Sequence, residues 1–270
     1  MPLAVFNPIG TTALVTGASS GLGVGYAHEL ARRGADVVLT ARRRERLEDL
    51  AAELAETYGT LATVIPLDLA RTGAVGELVA DLETRRITVG TLVNNAGFGT
   101  YGSVLGSDPE REAQQVTVNV QALTALTHAL LPGLIRTARA QPGSAALVNL
   151  ASTAAFQPVP QLAVYAASKA YVLSLTEALW YETRGSGLKV TAVCPGPTET
   201  EFFTVARRRV SGPRRLMSVD EVMQTAFAAL DAPHTPPHTV SGTSNRVVAW
   251  LAGTAPRRAV VRVTGRLSRL

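Results

Sequence analysis

Cysteine is almost absent from this chain: of 270 residues only Cys194 carries a thiol. A single cysteine permits no intrachain disulfide and no cysteine-based metal cluster, so no metal site is expected. Long apolar runs are missing too. No stretch reaches the ~18 uninterrupted apolar residues that a spanning helix requires. Met1 to Gly10 has neither the charged start nor the apolar core of a secretory signal. A cytoplasmic protein is the expectation. Lysine is nearly missing as well, since 24 of the 26 basic residues are arginine and only Lys169 and Lys189 are lysine. Against such a background a lysine can mark a place where arginine would not serve, although Lys189 could equally be chance. Acidic residues thin out late: from Val205 onward eleven arginines face only Asp220, Glu221 and Asp231. Such a patch could meet nucleic acid, an anionic membrane or an acidic partner. No zinc-finger, basic-zipper or RNA-binding motif surrounds it, and no nucleic-acid partner is expected.

What is present is the material of a core. Hydrophobic residues make up 46% and charged residues 17%, which excludes a disordered or fibrous chain. Strand and helix patterns alternate to about residue 250 with no Pro/Ser/Gly linker, no repeat and no low-complexity tract, so residues 1–270 read as one domain. Short apolar runs at 12–16, 36–40, 61–65, 91–93, 145–150 and 189–193 alternate with helical spacing to about Arg33 and over 43–58, 71–86, 110–139 and 162–184. A further helix begins near Ser218. The strand runs are continuous rather than alternating, as expected of parallel strands covered by helices on both faces. The fold class is therefore α/β.

Between the first apolar run and its helix stands Gly17-Ala18-Ser19-Ser20-Gly21-Leu22-Gly23. A strand, a glycine-rich turn and a helix N-terminus form a place for a dinucleotide pyrophosphate, because glycines let the backbone approach and the helix end supplies free N–H groups. The spacing is G-xxx-G-x-G rather than G-x-G-x-x-G. The same residues also match G-x-S-x-G, the nucleophile elbow of α/β-hydrolases. That elbow should follow several strands, whereas this one follows the first, and no HGGG-like segment precedes it. His234 and His238 keep the hydrolase reading possible but remote.

Tyr165 and Lys169 stand four residues apart at the start of a helix, hence on one face. Tyrosine ionises near ~10, too high for easy proton exchange at neutral pH, and a nearby ammonium favours the phenolate at ~1.36 kcal/mol per unit. Lysine is a compact point charge where arginine is a planar fork. The pair alone is a weak motif; its combination with others is not. Ser152 lies thirteen residues earlier, just past an apolar run, where a hydroxyl could polarise a carbonyl, with Thr153 as its neighbouring competitor. Asn119 sits inside the long preceding helix, either as support for a proton-relay water or as a surface amide.

Taken together the chain resembles the short-chain dehydrogenase/reductase family over residues about 11 to 240. The resemblance rests on Thr16 to Gly23, Asp68, Asn94-Asn95-Ala96-Gly97, Asn119, Ser152, Tyr165-x-x-x-Lys169 and Pro195-Gly196-Pro197-Thr198-Glu199-Thr200. It implies a doubly wound, Rossmann-like, three-layer fold with a seven-stranded parallel sheet in order 3-2-1-4-5-6-7 and a nicotinamide cofactor across the strand ends. It implies Tyr165 as general acid/base, Lys169 as its modulator and ribose anchor, Ser152 as carbonyl-orienting hydroxyl and Asn119 as holder of the relay water. Gly17, Ser19, Ser20, Gly21, Leu22 and Gly23 would meet the cofactor phosphates. Asp68 and Leu69 would contact adenine, Asn95 would line the cleft, and Thr198 and Thr200 would flank the nicotinamide carboxamide and phosphates. Family members commonly pair through their two long helices, so a homo-oligomer, dimer or tetramer, is expected. One departure is Ala151-Ser152 where the family usually has Ser-Ser.

The cofactor expectation is NADP(H). An NAD enzyme needs a carboxylate at the end of the second strand; Ala41 stands there, followed by Arg42-Arg43-Arg44. Arg42 is the expected bidentate partner of a 2′-phosphate. The expected reaction interconverts a ketone and a secondary alcohol. A catalytically inactive NADP-binding sensor and a dehydratase or epimerase on the same scaffold are the alternatives. By position, residues 98–101, 154–162 and the loop of about 195–217 should border the substrate. Phe98, Phe156, Phe202 and Phe203 make that surface apolar and suggest a medium-sized hydrophobic ketone. Arg207, Arg208 and Arg209 would be a solvated loop or a grip on an anionic substrate. The extension of about 243–270 lies outside the motifs. Its Val260, Val263, Leu267 and Leu270 share a helical face with Arg258, Arg262, Arg266 and Arg269 interleaved. Packing on the domain or on a sister subunit is favoured there over contact with an anionic membrane.

Overall fold

The computed structural model describes residues 5–202, 206 and 216–267. Seven apolar segments become strands: β1 (Thr12–Thr16), β2 (Asp36–Ala41), β3 (Ala62–Pro66), β4 (Val89–Asn94), β5 (Ala146–Leu150), β6 (Lys189–Cys194) and β7 (His238–Val240). They form one parallel sheet in the order β3-β2-β1-β4-β5-β6-β7. Val15 pairs with Leu39 on one side and Val93 on the other, so β1 is central. Strand order reverses at β1 and β4, and a crevice opens there beyond the carboxyl ends.

Successive strand residues point to opposite faces. Val15 and Leu39 therefore pack with Tyr26, Leu30, Leu47, Leu54 and Phe227 from α1 (Leu22–Arg32), α2 (Arg44–Tyr58) and α7 (Val219–Asp231). Leu14, Val38 and Leu92 pack on the other face with Leu78, Leu82, Leu126, Leu134 and Leu179. Those leucines come from α3 (Ala74–Thr84), α5 (Leu123–Ala140) and α6 (Ala163–Glu182). Burial on both faces is why the strands read as unbroken apolar runs. The doubly wound three-layer expectation is met. Within the sheet a buried polar chain ties strands to helices: Asn94 Nδ2 donates to Thr127 Oγ1 (3.0 Å) and Asn149 Oδ1 (2.9 Å), and Asn149 Nδ2 donates to Thr176 Oγ1 (2.9 Å).

Three elements differ from the sequence reading. The helix expected over 71–86 starts at Ala74, because Gly73 takes a left-handed φ of 80° and Asp68 folds its carboxylate onto Ala70 N. The long helix expected over 110–139 is α4 (Pro109–Val116) and α5 joined by a π-helical turn, Thr117–Ala122. By length and composition alone Pro109–Ala140 is apolar enough to cross a bilayer. Here it carries buried, hydrogen-bonded Asn119 and Thr127 toward the domain, as a core helix does. Finally, α8 (Thr243–Thr254) and α9 (Arg257–Leu267) follow β7.

Candidate active site

The turn after β1 is shaped by close approach. Gly17 has φ 66°, and a Cβ there would lie 2.9 Å from Ala96 Cα; a Cβ on Gly23 would lie 2.3 Å from the Gly17 carbonyl oxygen. Gly23 thus lets α1 sit directly on the turn that precedes it. Thr16 Oγ1 accepts the N–H groups of Asn95 (3.0 Å) and Ala96 (2.9 Å), while Asn95 Nδ2 donates to Thr16 O (2.8 Å) and Gly17 O (3.2 Å). Asn95 is therefore a buckle between β4 and the glycine turn as well as a cavity-lining residue. The N-terminus of α1 has no side-chain cap and no acidic residue in its first turn.

That N-terminus opens on a cavity of about 1080 Å³. Gly17, Ser19, Ser20, Gly21, Leu22, Arg42, Asp68, Leu69, Asn95, Ser152, Tyr165, Lys169, Thr198 and Thr200 all line it. Of the residues singled out in the sequence, Gly23 and Asn119 stand behind this wall. The hydrolase reading finds no base: Ser19 Oγ accepts from Arg43, His238 is bound to Glu177 at 2.7 Å, and His234 is exposed.

At the end of β2 two neighbouring arginines face different ways. Arg42 is exposed at the cavity edge. Arg43 turns inward, donating from Nη2 to Ser19 Oγ (3.0 Å) and Ser19 O (3.2 Å) and from Nη1 to Glu201 Oε2 (2.7 Å). Arg46 reaches Glu201 Oε1 at 2.6 Å. Arg46 and Arg43 together hold the Glu201 carboxyl down to about 2. Arg43 is the N-cap residue of α2, so the three arginines straddle the helix start rather than fill its first turn.

The Tyr165–Lys169 pair opens α6. Ser152 follows β5, caps the 3₁₀ turn Thr153–Phe156 by accepting Ala154 N (3.1 Å), and lines the same cavity as Tyr165. Burial pushes the Tyr165 phenol up to about 12, against a smaller lowering effect of the nearby Ser152 hydroxyl. Lys169 Nζ lies 5.9 Å from the Tyr165 ring centre and donates to Leu150 O at 2.6 Å; burial lowers its pKa to about 8. Burial thus opposes the lowering of the phenol that the ammonium is expected to give. Burial governs the phenol, and the ammonium is engaged by the Leu150 carbonyl. Cys194 borders the pair with a thiol that burial pushes up to about 12.

Asn119 lies in the π turn. Its Nδ2 donates to Phe98 O (3.0 Å) and Ser168 Oγ (3.0 Å), and its Oδ1 accepts Phe98 N (3.1 Å). Ser168 in turn donates to Tyr165 O (2.7 Å), a link in the chain of contacts that its place beside Lys169 could have suggested. Asn119 is thereby a clamp between the 98-loop and α6.

Thr198 Oγ1 donates to Gly196 O (2.9 Å), and the Thr200 methyl fills the space where a Gly21 Cβ would stand. Phe98, Val159, Leu162 and Phe202 form the apolar wall beside Tyr165, with the Phe202 ring centre 5.1 Å from that of Tyr165. Phe156 does not join them. The 3₁₀ turn sends it against His238 at 5.5 Å. Phe203 and Arg207, Arg208 and Arg209 lie outside the described residues. The extension instead adds a wall that the motifs did not show: Val248, Leu251, Val260 and Val263 line the cavity. Thr264 Oγ1 donates to Pro158 O (3.0 Å), seating α9 on the domain. Arg269 and Leu270 lie outside the described residues.

The comparisons agree with this geometry. Residues 11–210 match the short chain dehydrogenase family. Sulfoacetaldehyde reductase 2 of Chromohalobacter salexigens is 38% identical over 198 residues, 71% of this chain and 74% of that protein. A short-chain dehydrogenase from Sphingobium yanoikuyae, solved in complex with NADPH, is 32% identical with a TM-score of 0.79 over 96% of both chains. The bulky-bulky ketone specific alcohol dehydrogenase from Comamonas testosteroni is 28% identical with a TM-score of 0.75, covering 92% of this chain and 95% of that one. From its sheet order, its glycine turn and these matches, the chain belongs to the short-chain dehydrogenase/reductase family of oxidoreductases.

Proposed function

We propose that this protein is an NADP(H)-dependent carbonyl reductase that interconverts a bulky, apolar ketone and its secondary alcohol. The observation that carries the reading is one continuous cavity. It joins the uncapped α1 N-terminus to Ser152, Tyr165 and Lys169. The residues fit a dinucleotide: Ser19 to Leu22 present glycine-turn backbone and a free helix end to a pyrophosphate, and Asp68 and Leu69 border the adenine side. When bound, the dihydronicotinamide supplies a hydride to the carbonyl carbon. Tyr165 gives its phenolic proton to the carbonyl oxygen, so that C=O gains one hydride and one proton and becomes CH–OH. Ser152 orients that oxygen by hydrogen bonding. Lys169 holds its charge against the phenolate that remains and anchors the ribose, and Asn119 and Ser168 fix the backbone of Tyr165. The tyrosine then regains its proton from solvent.

For the cofactor, Ala41 removes the carboxylate that would accept both ribose hydroxyls, and Arg43, with Arg42 at the rim, supplies guanidinium donors for a 2′-phosphate. The Sphingobium relative solved with NADPH supports this choice. The apolar wall of Phe98, Phe202, Leu251 and Val263 and the bulky-ketone specificity of the Comamonas relative support the substrate class. The test is a turnover screen of aryl, alicyclic and steroidal ketones with each cofactor. NADPH should exceed NADH by at least ~100-fold in kcat/KM, about 2.7 kcal/mol. Equal efficiency would overturn the cofactor assignment, and turnover confined to small polar aldehydes would overturn the substrate class.

A further inference from the structure

The Glu201 carboxylate occupies the Arg43 guanidinium that the cofactor reading gives to a phosphate. It bridges Arg43 (2.7 Å) and Arg46 (2.6 Å), and the Arg43 guanidinium is at the same time tied to Ser19 in the glycine turn. A carboxylate and a phosphate monoester offer a guanidinium the same kind of anionic acceptor pair. Arginine has five N–H donors in a fixed fork, so an acceptor already seated on Nη1 withholds that edge from another anion. Glu201, Arg43 and Ser19 all line the one cavity. The next residue, Phe202, packs its ring beside Tyr165 and occupies the space over Gly99, where a Cβ would lie 2.8 Å from it. A single dipeptide thus carries an arginine-bound anion and the cover over the proposed acid.

We propose that Glu201 is an internal competitor for the cofactor 2′-phosphate, and that its displacement from Arg43 and Arg46 loosens Phe202 from Tyr165. This rests on the NADP(H) reading. The exchange is anion for anion: one carboxylate leaves the arginines as one phosphate arrives, with no covalent change. Binding of NADPH is weakened by the ion pairs it must break. NADH, which has no 2′-phosphate, leaves them intact and leaves Phe202 where it is. The 2′-phosphate would then do two things, adding affinity and clearing the face of Tyr165 for substrate.

The experiment compares wild type, Glu201→Gln, Arg43→Gln and the double variant. Dissociation constants are measured calorimetrically for NADPH, NADH and 2′,5′-ADP, with thermal melts confirming that each variant is folded. Glu201→Gln should tighten NADPH and 2′,5′-ADP about fivefold, equal to about 1 kcal/mol, and leave NADH within about twofold. In the Arg43→Gln background the gain should shrink, because the contested donor is gone. Amide exchange across residues 198–202 should speed up with 2′,5′-ADP and not with 5′-AMP. If Arg43→Gln weakens NADPH while Glu201→Gln leaves it unchanged, the competitor is refuted and the NADP(H) reading stands. If wild type binds both cofactors alike and Arg43→Gln alters neither, the NADP(H) reading falls and this inference with it.

Discussion

Replacing Tyr165 by phenylalanine deletes one oxygen and tests the acid assignment with little else disturbed. The ring keeps its place beside Phe202 and its distance to Lys169. The lost oxygen lies in the cavity beside Ser152, whose hydroxyl still accepts the Ala154 N–H. At most one hydrogen bond, worth about 1 kcal/mol net, is lost, so the melting temperature should fall only slightly and cofactor affinity should hold. Catalysis should not. General acid catalysis by one positioned group contributes about 10²–10⁴-fold, or roughly 2.7–5.4 kcal/mol. Single-turnover reduction of a ketone that wild type reduces well, with NADPH oxidation followed spectroscopically, isolates that step. A variant keeping more than one-tenth of the wild-type rate would remove Tyr165 from the mechanism.

The same variant reads the proton. Burial disfavours the phenolate and pushes the phenol up to about 12, from its ordinary 10.0. A group whose folded pKa is raised stabilises the fold fully below the unfolded value. It loses that contribution as pH climbs toward the folded one. Difference ultraviolet titration, wild type minus Tyr165→Phe, should therefore show one tyrosine ionising above 10, and the variant should lose less stability between pH 10 and 12. In the oxidative direction, where phenolate is the base, wild-type activity should climb with pH. A tyrosine titrating below 10 in the free enzyme would show that the ammonium, and not desolvation, governs the pair.

Lys169→Arg keeps the charge but brings a planar fork into a buried slot whose acceptor is Leu150 O at 2.6 Å; kcat/KM should fall at least ~100-fold, and near-normal turnover would refute the geometric argument. Cys194 is buried with its thiol pushed up to about 12, so a disulfide reagent at pH 8 should titrate no thiol in the folded chain and one after denaturation. Removal of residues 256–270 deletes the Thr264–Pro158 bond and the Val260 and Val263 wall, so KM for bulky ketones should rise and the melting temperature should drop. Unchanged KM with altered liposome binding would return the extension to a membrane role.

Much of this site was legible because its chemistry is written in local spacing. Gly17 to Gly23 must follow a strand and open a helix, and Tyr165 and Lys169 must share one turn. What stayed hidden depends on backbone angles or distant partners. Whether Arg42 or Arg43 faces the glycine turn is decided by Arg43 holding φ −88° and ψ 93° as the N-cap of α2, a one-residue matter that composition does not carry. Glu201 meets Arg43 across 158 positions. The π turn that aims Asn119 at the 98-loop leaves the helical spacing of 110–139 outwardly normal. Phe156 fails as a substrate contact because a 3₁₀ turn intervenes, and the tail becomes a cavity wall only because Pro158 and Pro160 bring a loop beneath it. For Tyr165 the spacing carries only half of the electrostatics. The spacing shows a cation near a phenol but not how little water surrounds either.

The scarcity of lysine, in contrast, carries further than one site. Lys169 sends its ammonium to the carbonyl of Leu150 at the end of β5, and Lys189 sends its own from β6 to the carbonyl of Ala232 (3.3 Å), just past α7. Both residues are buried, and in each case the hydrogen-bond partner on the protein is a single backbone oxygen at the end of an element. A carbonyl oxygen accepts from an ammonium, but a guanidinium would bring five fixed donors to a place that offers one acceptor, leaving the rest to be desolvated without partners. An ammonium on a thin stem meets the demand with less to satisfy. Lys189 is therefore explained by the same physics as Lys169 without any part in catalysis. In a chain so biased toward arginine, a retained lysine reports a buried single-acceptor slot first, and a catalytic role only where a titratable partner such as Tyr165 stands beside it.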